Sequence, residues 1–269
     1  ITYQKMPTAW SVLMGALGDS YTRRIKGDRT ENIEAAVNAY HQALQVISHN
    51  EHPDVWQHLV VQIALATETP PQVIFEDIAF FVDVIIYIQK HRGEQKAIYR
   101  FLTENINKLN VNLLNAIPIA ALVLLADSDE NSQVVIANSI GEFGDFVAQF
   151  PLGQPSINAE LTIAAYNQTL RVLTQEKRPV EWAQSMTNLA NVYCTRIKGN
   201  RAQNIEEAIS AFHQALQIMT RDEMPVEWAQ VMNNLASAYS SRIGGDRAQN
   251  IEEAIAVYQE VLQVRTRES

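Results

Sequence analysis

One cysteine, Cys194, in 269 residues leaves no partner for an intrachain disulfide, which excludes the disulfide-stapled secreted scaffolds and fits a reducing compartment. Long hydrophobic runs are also missing. The most apolar stretch, Ile78 to Ile88, contains Asp83 and is too short to span a bilayer, so no membrane partner is expected. No signal-peptide pattern opens the chain, and a cytoplasmic location follows as the expectation. Positive charge is in deficit: 21 Lys and Arg stand against 30 Asp and Glu, a net charge of -9. A phosphate backbone would need a local basic patch, and no such run occurs, so nucleic acid is not expected as a partner. Disorder is excluded by the 47% hydrophobic content.

What is present is a repeat. The four tryptophans, Trp10, Trp56, Trp182 and Trp228, each lie three residues after a proline: Pro7, Pro53, Pro179 and Pro225. The pairs 10/56 and 182/228 are both 46 residues apart, and a period of 20 to 50 residues marks an array of small stacked units. The loop RIKGNR at 196 to 201 recurs as RIGGDR at 242 to 247, and NIEEAI at 204 to 209 recurs at 250 to 255. A copy at the start carries RIKGDR at 24 to 29, 172 residues before its counterpart. Shifting residues 131 to 178 by 46 places Ile136, Ile140, Phe143 and Val147 on the same positions, as a degenerate copy.

Within one unit, Trp182, Met186, Leu189 and Tyr193 lie on one stripe of a helix, and Gln184, Asn188, Asn191 and Thr195 lie on the other side. The next copy repeats this as Trp228, Met232, Leu235 and Tyr239 against Gln230, Asn234, Ser237 and Ser241; the opening copy keeps the apolar stripe as Trp10, Met14, Leu17 and Tyr21. The degenerate copy has Asn138, Glu142, Asp145 and Gln149 on its polar side. A glycine loop ends the first helix, and Asn204 or Asn250, with Glu207 or Glu253 three residues on, reads as a capping box opening a second helix. The expected unit is therefore a helical hairpin that buries its apolar faces only by stacking on its neighbours. Residues 70 to 130 break the phase and read as three divergent helices, the first apolar nearly all round and so expected in a core. The units are taken as 1–52, 53–130, 131–178, 179–224 and 225–269. The chain starts and stops inside the repeat phase, which suggests a piece of a longer protein.

The run Asn188, Leu189, Ala190 and Tyr193, followed by Ala208, Phe212 and Ala215, resembles the tetratricopeptide (TPR) pattern, and Leu17, Gly18 and Tyr21 match it more closely still. The unit is longer than the family's usual 34 residues or so. The elongated unit with its RIxGxR loop is similar to TPR arrays of large bacterial, especially cyanobacterial, proteins that often carry a CHAT domain, a caspase-like protease fold. FLTENINKLN at 101 to 110 and QFPLG at 149 to 153 resemble the degenerate parts of such arrays. The resemblance implies an all-α, TPR-like helical-hairpin solenoid, a right-handed superhelix with a divergent helical segment in its middle. It also implies that first helices line a concave groove, where Gln184, Asn188, Asn191, Thr195, Gln230, Asn234, Ser237, Ser241, Asn138, Glu142 and Asp145 face an extended peptide or partner helix. The partner is thus a protein or peptide, and the full protein is expected to continue into further repeats and an effector domain.

Chemistry is weakly signalled. His49, His52 and His58 straddle a helix junction without a completing ligand set, so no metal is expected, and no cofactor. Cys194 occupies a small polar position held by Ser240 and Thr22 in other copies, with no base or oxyanion donor patterned around it. The loop arginines are read as making salt bridges within their own repeat and bonds to helix-end carbonyls. Glu206/Glu207 and Glu252/Glu253 are read as first-turn carboxylates favoured by the helix dipole. The expectation is a non-enzymatic interaction module, one that could restrain or supply a CHAT-type protease. A structural spacer or oligomerisation rod, or an enzyme with its site in 70 to 130, are the alternatives.

Overall fold

The computed structural model describes residues 7–44, 47, 52–66, 71–126 and 128–265. Among them are twelve α-helices, a short 3-10 turn and no strand. The chain divides into two compact units, 1–139 and 140–269. The first holds α1 (Pro7–Thr22), α2 (Arg29–Leu44), α3 (Pro53–Ala66), α4 (Pro71–Lys90), α5 (Gln95–Glu104) and α6 (Val111–Ala126). The dividing point falls inside α7 (Glu130–Ala148), and the second unit continues with α8 (Pro155–Val172), α9 (Pro179–Thr195), α10 (Arg201–Leu216), α11 (Pro225–Ser241) and α12 (Arg247–Arg265).

Two local devices recur, a proline start at α1, α3, α9 and α11 and a positive-φ glycine in the loops that follow α1, α7, α9 and α11. Proline at the first helical position costs nothing, because that N–H has no intrahelical acceptor, and its fixed φ already suits the helix. The tryptophan three residues later then closes the first helical turn: the Trp182 and Trp228 amides donate to the Arg178 and Met224 carbonyls at 2.8 Å. At the loop, Gly199 sits at φ 83°, a conformation a side chain would disfavour, and the chain turns there into the second helix.

That second helix starts earlier than the sequence pattern suggested. Asn200, not Asn204, is the N-cap of α10, its side chain accepting from the Gln203 amide at 3.1 Å; Asp246 and Asp28 do the same for Gln249 (2.9 Å) and Glu31 (3.1 Å). Asn204 lies inside the helix, buried, and its amide reaches back to the Lys198 carbonyl at 2.9 Å. Asn250, Asn32 and Asn158 repeat this on Gly244 (2.8 Å), Lys26 (3.0 Å) and Leu152 (3.1 Å). The NIE asparagine therefore pins the glycine loop, and Glu206 and Glu207 fall in the second turn, beyond the first-turn dipole site proposed for them. The degenerate copy is incomplete. Arg196 donates to the Asn204 side-chain oxygen, but the equivalent of Arg196 is Phe150, and the buried Asn158 Oδ1 is left with no hydrogen-bond partner.

Stacking follows the apolar stripes. In the second unit Leu189 and Val192 of α9 pack on Ile163 and Tyr166 of α8, and Trp228, Met232 and Leu235 of α11 join Ile209 and Phe212 of α10 in one core. A first helix thus rests on the second helix of the preceding hairpin. The opening copy departs from this expectation: Leu17 is 42% exposed, where Leu189 is 6% and Leu235 2%.

The divergent segment forms three helices, α4 to α6, with α4 packed against α6. Of the α4 residues expected in a core, Ile78, Phe80, Phe81, Val84, Ile85 and Ile88 are buried. The helix is not buried all round, however, because Asp83 and Ile86 face solvent. Val73 and Ile74, expected in the same core, have side chains outside the described ones.

Candidate partner-binding face

The polar residues of the first helices divide into two groups. Gln184, Thr195, Gln230, Ser237 and Ser241 are exposed. Asn188, Asn191, Asn234, Asn138, Glu142 and Asp145 are half-buried. Thr195 turns its hydroxyl back to its own helix, at the Val192 carbonyl.

Three of the half-buried asparagines bond across helices. Asn188 Nδ2 donates to Asp145 Oδ1 at 3.0 Å, and Asn234 Nδ2 donates to Asn191 Oδ1 at 3.0 Å, so each joins one first helix to the next across 43 residues of sequence. These side chains couple repeats as well as facing outward. Replacing Asn188 and Asn234 together by alanine should therefore disturb the stack, although both lie opposite the apolar stripe and the sequence pattern alone predicts intact melting.

Asp145 also accepts the Tyr166 hydroxyl. Burial holds its carboxyl above the ordinary range, against the two hydrogen bonds that lower it, and burial beside this carboxylate raises the Tyr166 phenol. The opening hairpin repeats the pair, Tyr40 donating to Asp19 at 2.8 Å. In both, glycine stands opposite the tyrosine ring: a Cβ on Gly18 would overlap the Tyr40 ring, and one on Gly144 would meet Tyr166 at 3.3 Å. The third equivalent is consistent in its chemistry, since Phe212 has no hydroxyl and its neighbours are Ala190 and Asn191.

The first unit carries a cavity. A groove of about 360 Å³ lies between α1 and α3, floored by Val12, Gly15, Ala16, Val55 and Leu59, with Ser11, Asp19, Asp54 and His58 around it. Shifted by 172, Val12, Ala16 and Asp19 fall on Gln184, Asn188 and Asn191, so this groove occupies the same helical phase as the polar side of the second unit. The same 172-residue correspondence that marks the apolar stripe thus marks the groove on the opposite side of the helix.

Other polar groups bind the hairpins together. Arg196 makes a bidentate pair with Glu160 (2.7 and 2.8 Å) and Arg242 with Glu206 (2.7 and 2.9 Å). These bridges run chiefly to the preceding hairpin, not within the repeat, although Arg242 also lies 3.7 Å from Glu253 of its own repeat. The second loop arginine caps the first helix, Arg29 donating to the Thr22 carbonyl at 2.6 Å and Arg201 to that of Cys194. Cys194 is half-buried, and burial raises its thiol although Arg201 opposes this. His52 pairs with Thr8 at 3.0 Å, and His49 lies outside the described residues. Among the described residues no three His, Cys, Asp or Glu side chains gather as a metal site would require, and no helix is long and apolar enough to cross a membrane.

No curated protein matches the chain. Residues 228–267, from Trp228 of α11 through α12, match the family model described as Tetratricopeptide repeat. The fold is accordingly all-α and TPR-like, built of stacked helical hairpins.

Proposed function

We propose that this chain is a non-catalytic protein-interaction module whose first-helix face receives an extended peptide or partner helix. The observation that carries this reading is the groove between α1 and α3, which lies at the same helical phase as Gln184 and Gln230. Its apolar floor suits a bulky aliphatic or aromatic side chain, and the carboxylates of Asp19 and Asp54 beside it favour a flanking cation. In the second unit Gln184, Gln230, Ser237 and Ser241, with Thr195, offer exposed polar groups; amide and hydroxyl side chains can meet a peptide backbone as donor and as acceptor. Asn188, Asn191, Asn234 and Asp145 join the helices that carry them, while Asn138 and Glu142 add half-buried polar groups to the face. Such a face belongs to cytoplasmic adaptor function. In a longer protein with a CHAT-type protease it would restrain that domain or deliver substrate to it.

Selection from a random peptide library, followed by calorimetric titration of the selected peptides, tests the proposal. Gln184→Ala with Gln230→Ala, and separately Val12→Asp, should leave the melting curve intact. Each should weaken binding, the first by about 0.5 to 1.5 kcal/mol for each hydrogen bond lost. A library that yields no binder, or binders indifferent to both variants, would favour the spacer reading instead.

A further inference from the structure

The groove of the first unit has two distinct ends, set by how its walls align. Thr8 Oγ1 lies 3.0 Å from His52 Nε2, and a Cβ on Gly15 would meet Leu59 at 3.1 Å, so α1 and α3 run parallel, each α1 residue level with the α3 residue 44 positions later. In that register Asp54 is level with Trp10, about nine residues before Asp19, and at about 1.5 Å of rise per residue the two carboxylates stand about 13 Å apart along the groove. Val12, Gly15, Ala16 and Leu59 lie between them. Asp54 is exposed; Asp19 is half-buried and accepts from Tyr40 on one oxygen at 2.8 Å, which leaves the other for a ligand. Stacking does not close this side of a first helix. Gln184, at the phase of Val12, is exposed although α9 is bonded to α7 before it and to α11 after it.

We propose that the occupant of this groove is an extended protein segment with Lys or Arg at positions i and i+4 and a large aliphatic or aromatic residue at i+2. The proposal rests on the groove being the peptide site and adds what the peptide carries. An extended chain advances about 3.3 Å per residue, so four residues cover the interval between the carboxylates, and residues two apart project to the same side. The middle side chain then falls on Leu59 and the shallow floor left by Gly15 and Ala16, while the outer two reach Asp54 and Asp19. The net charge of -9 favours the approach of such a cationic segment.

Parallel selection of a random peptide library on the 269-residue chain and on its Asp54→Lys variant tests this, followed by calorimetric titration at low salt. The parent should enrich the basic, apolar, basic pattern at i, i+2 and i+4. Asp54→Lys, a change at an exposed position, should melt like the parent and select the same apolar residue with one of the two cations exchanged for Asp or Glu. Replacing either cation of a selected peptide by Gln should weaken binding to the parent about two- to fivefold, and so should Asp19→Asn, which still accepts from Tyr40. Binders that need Val12 but carry no basic pair at this spacing, or that keep their affinity when both cations are replaced, overturn the proposal and leave the groove as the binding face. A library without binders overturns both.

Discussion

At the scale of single residues the chain couples identities across a helix pair. At the buried Tyr40 and Tyr166 of the second helices, the first helix carries glycine opposite the ring and aspartate beside the hydroxyl; at Tyr258, which is 37% exposed, the same positions are Ala236 and Ser237. Where the second helix carries Phe212, those positions are Ala190 and Asn191. Tyr166→Phe alone should cost about 1 to 3 kcal/mol, because it removes a donor from a buried carboxylate. Tyr166→Phe with Asp145→Asn should recover most of that, and chemical denaturation of both single variants and the double gives the coupling as a mutant cycle. The double variant should also change the pH dependence. Burial raises the folded Asp145 pKa, so its contribution is fully present below the unfolded carboxylate value, near 4, and is lost as pH rises through the folded one. Without that carboxyl, the stability difference from the parent should shift steadily in the variant's favour from acid to neutral pH. Cys194 supplies a further check: with its thiol raised by burial, alkylation near neutral pH should be slow in the native chain and fast in denaturant.

Between helices, burial decides which of two similar ion pairs matters. Glu160 is 8% exposed, and Arg196→Ala strands its charge, which should cost about 3 kcal/mol. The Arg242 pair is wetter, its glutamate side chain 43% exposed, so Arg242→Ala should cost about 1 kcal/mol or less. Thermal unfolding of the two variants separates these outcomes; equal losses would contradict the burial argument. Trp228 is 7% exposed in the core shared by α10 and α11, and Trp228→Ala should cost about 3 to 5 kcal/mol. Repeat stability sums nearest-neighbour interfaces, so that loss should appear as early melting of α11 and α12 and a broadened transition, not as a uniform shift.

At the scale of the whole molecule, the second unit draws its contacts chiefly from helices adjacent in sequence and has its own core. A fragment spanning 130–269 should therefore fold alone, with helical circular dichroism and a cooperative melt; a random-coil spectrum would contradict this. The helical hairpins were legible in the sequence because the Pro-to-Trp interval and the stripes Trp228, Met232 and Leu235 are set by helix geometry alone. The cap was misplaced because Asn200 and Asn204 are both good cap residues four apart, and only the loop's path shows which one the backbone uses. The double duty of Asn188 and Asn234 was hidden for a similar reason: periodicity gives the side of a helix, not how near the next helix lies. The groove over Val12 and Ala16 was missed because its residues are apolar where the polar pattern was sought. The side-chain bonds between successive hairpins span from 26 to 44 residues, always less than one period. A duplication or deletion of one whole 46-residue block would recreate every junction it interrupts, whereas a change of a few residues within a block would break several at once. The gene can therefore lengthen or shorten in whole units without redesigning any contact, and drift in copy number meets less resistance than drift in the length of a copy.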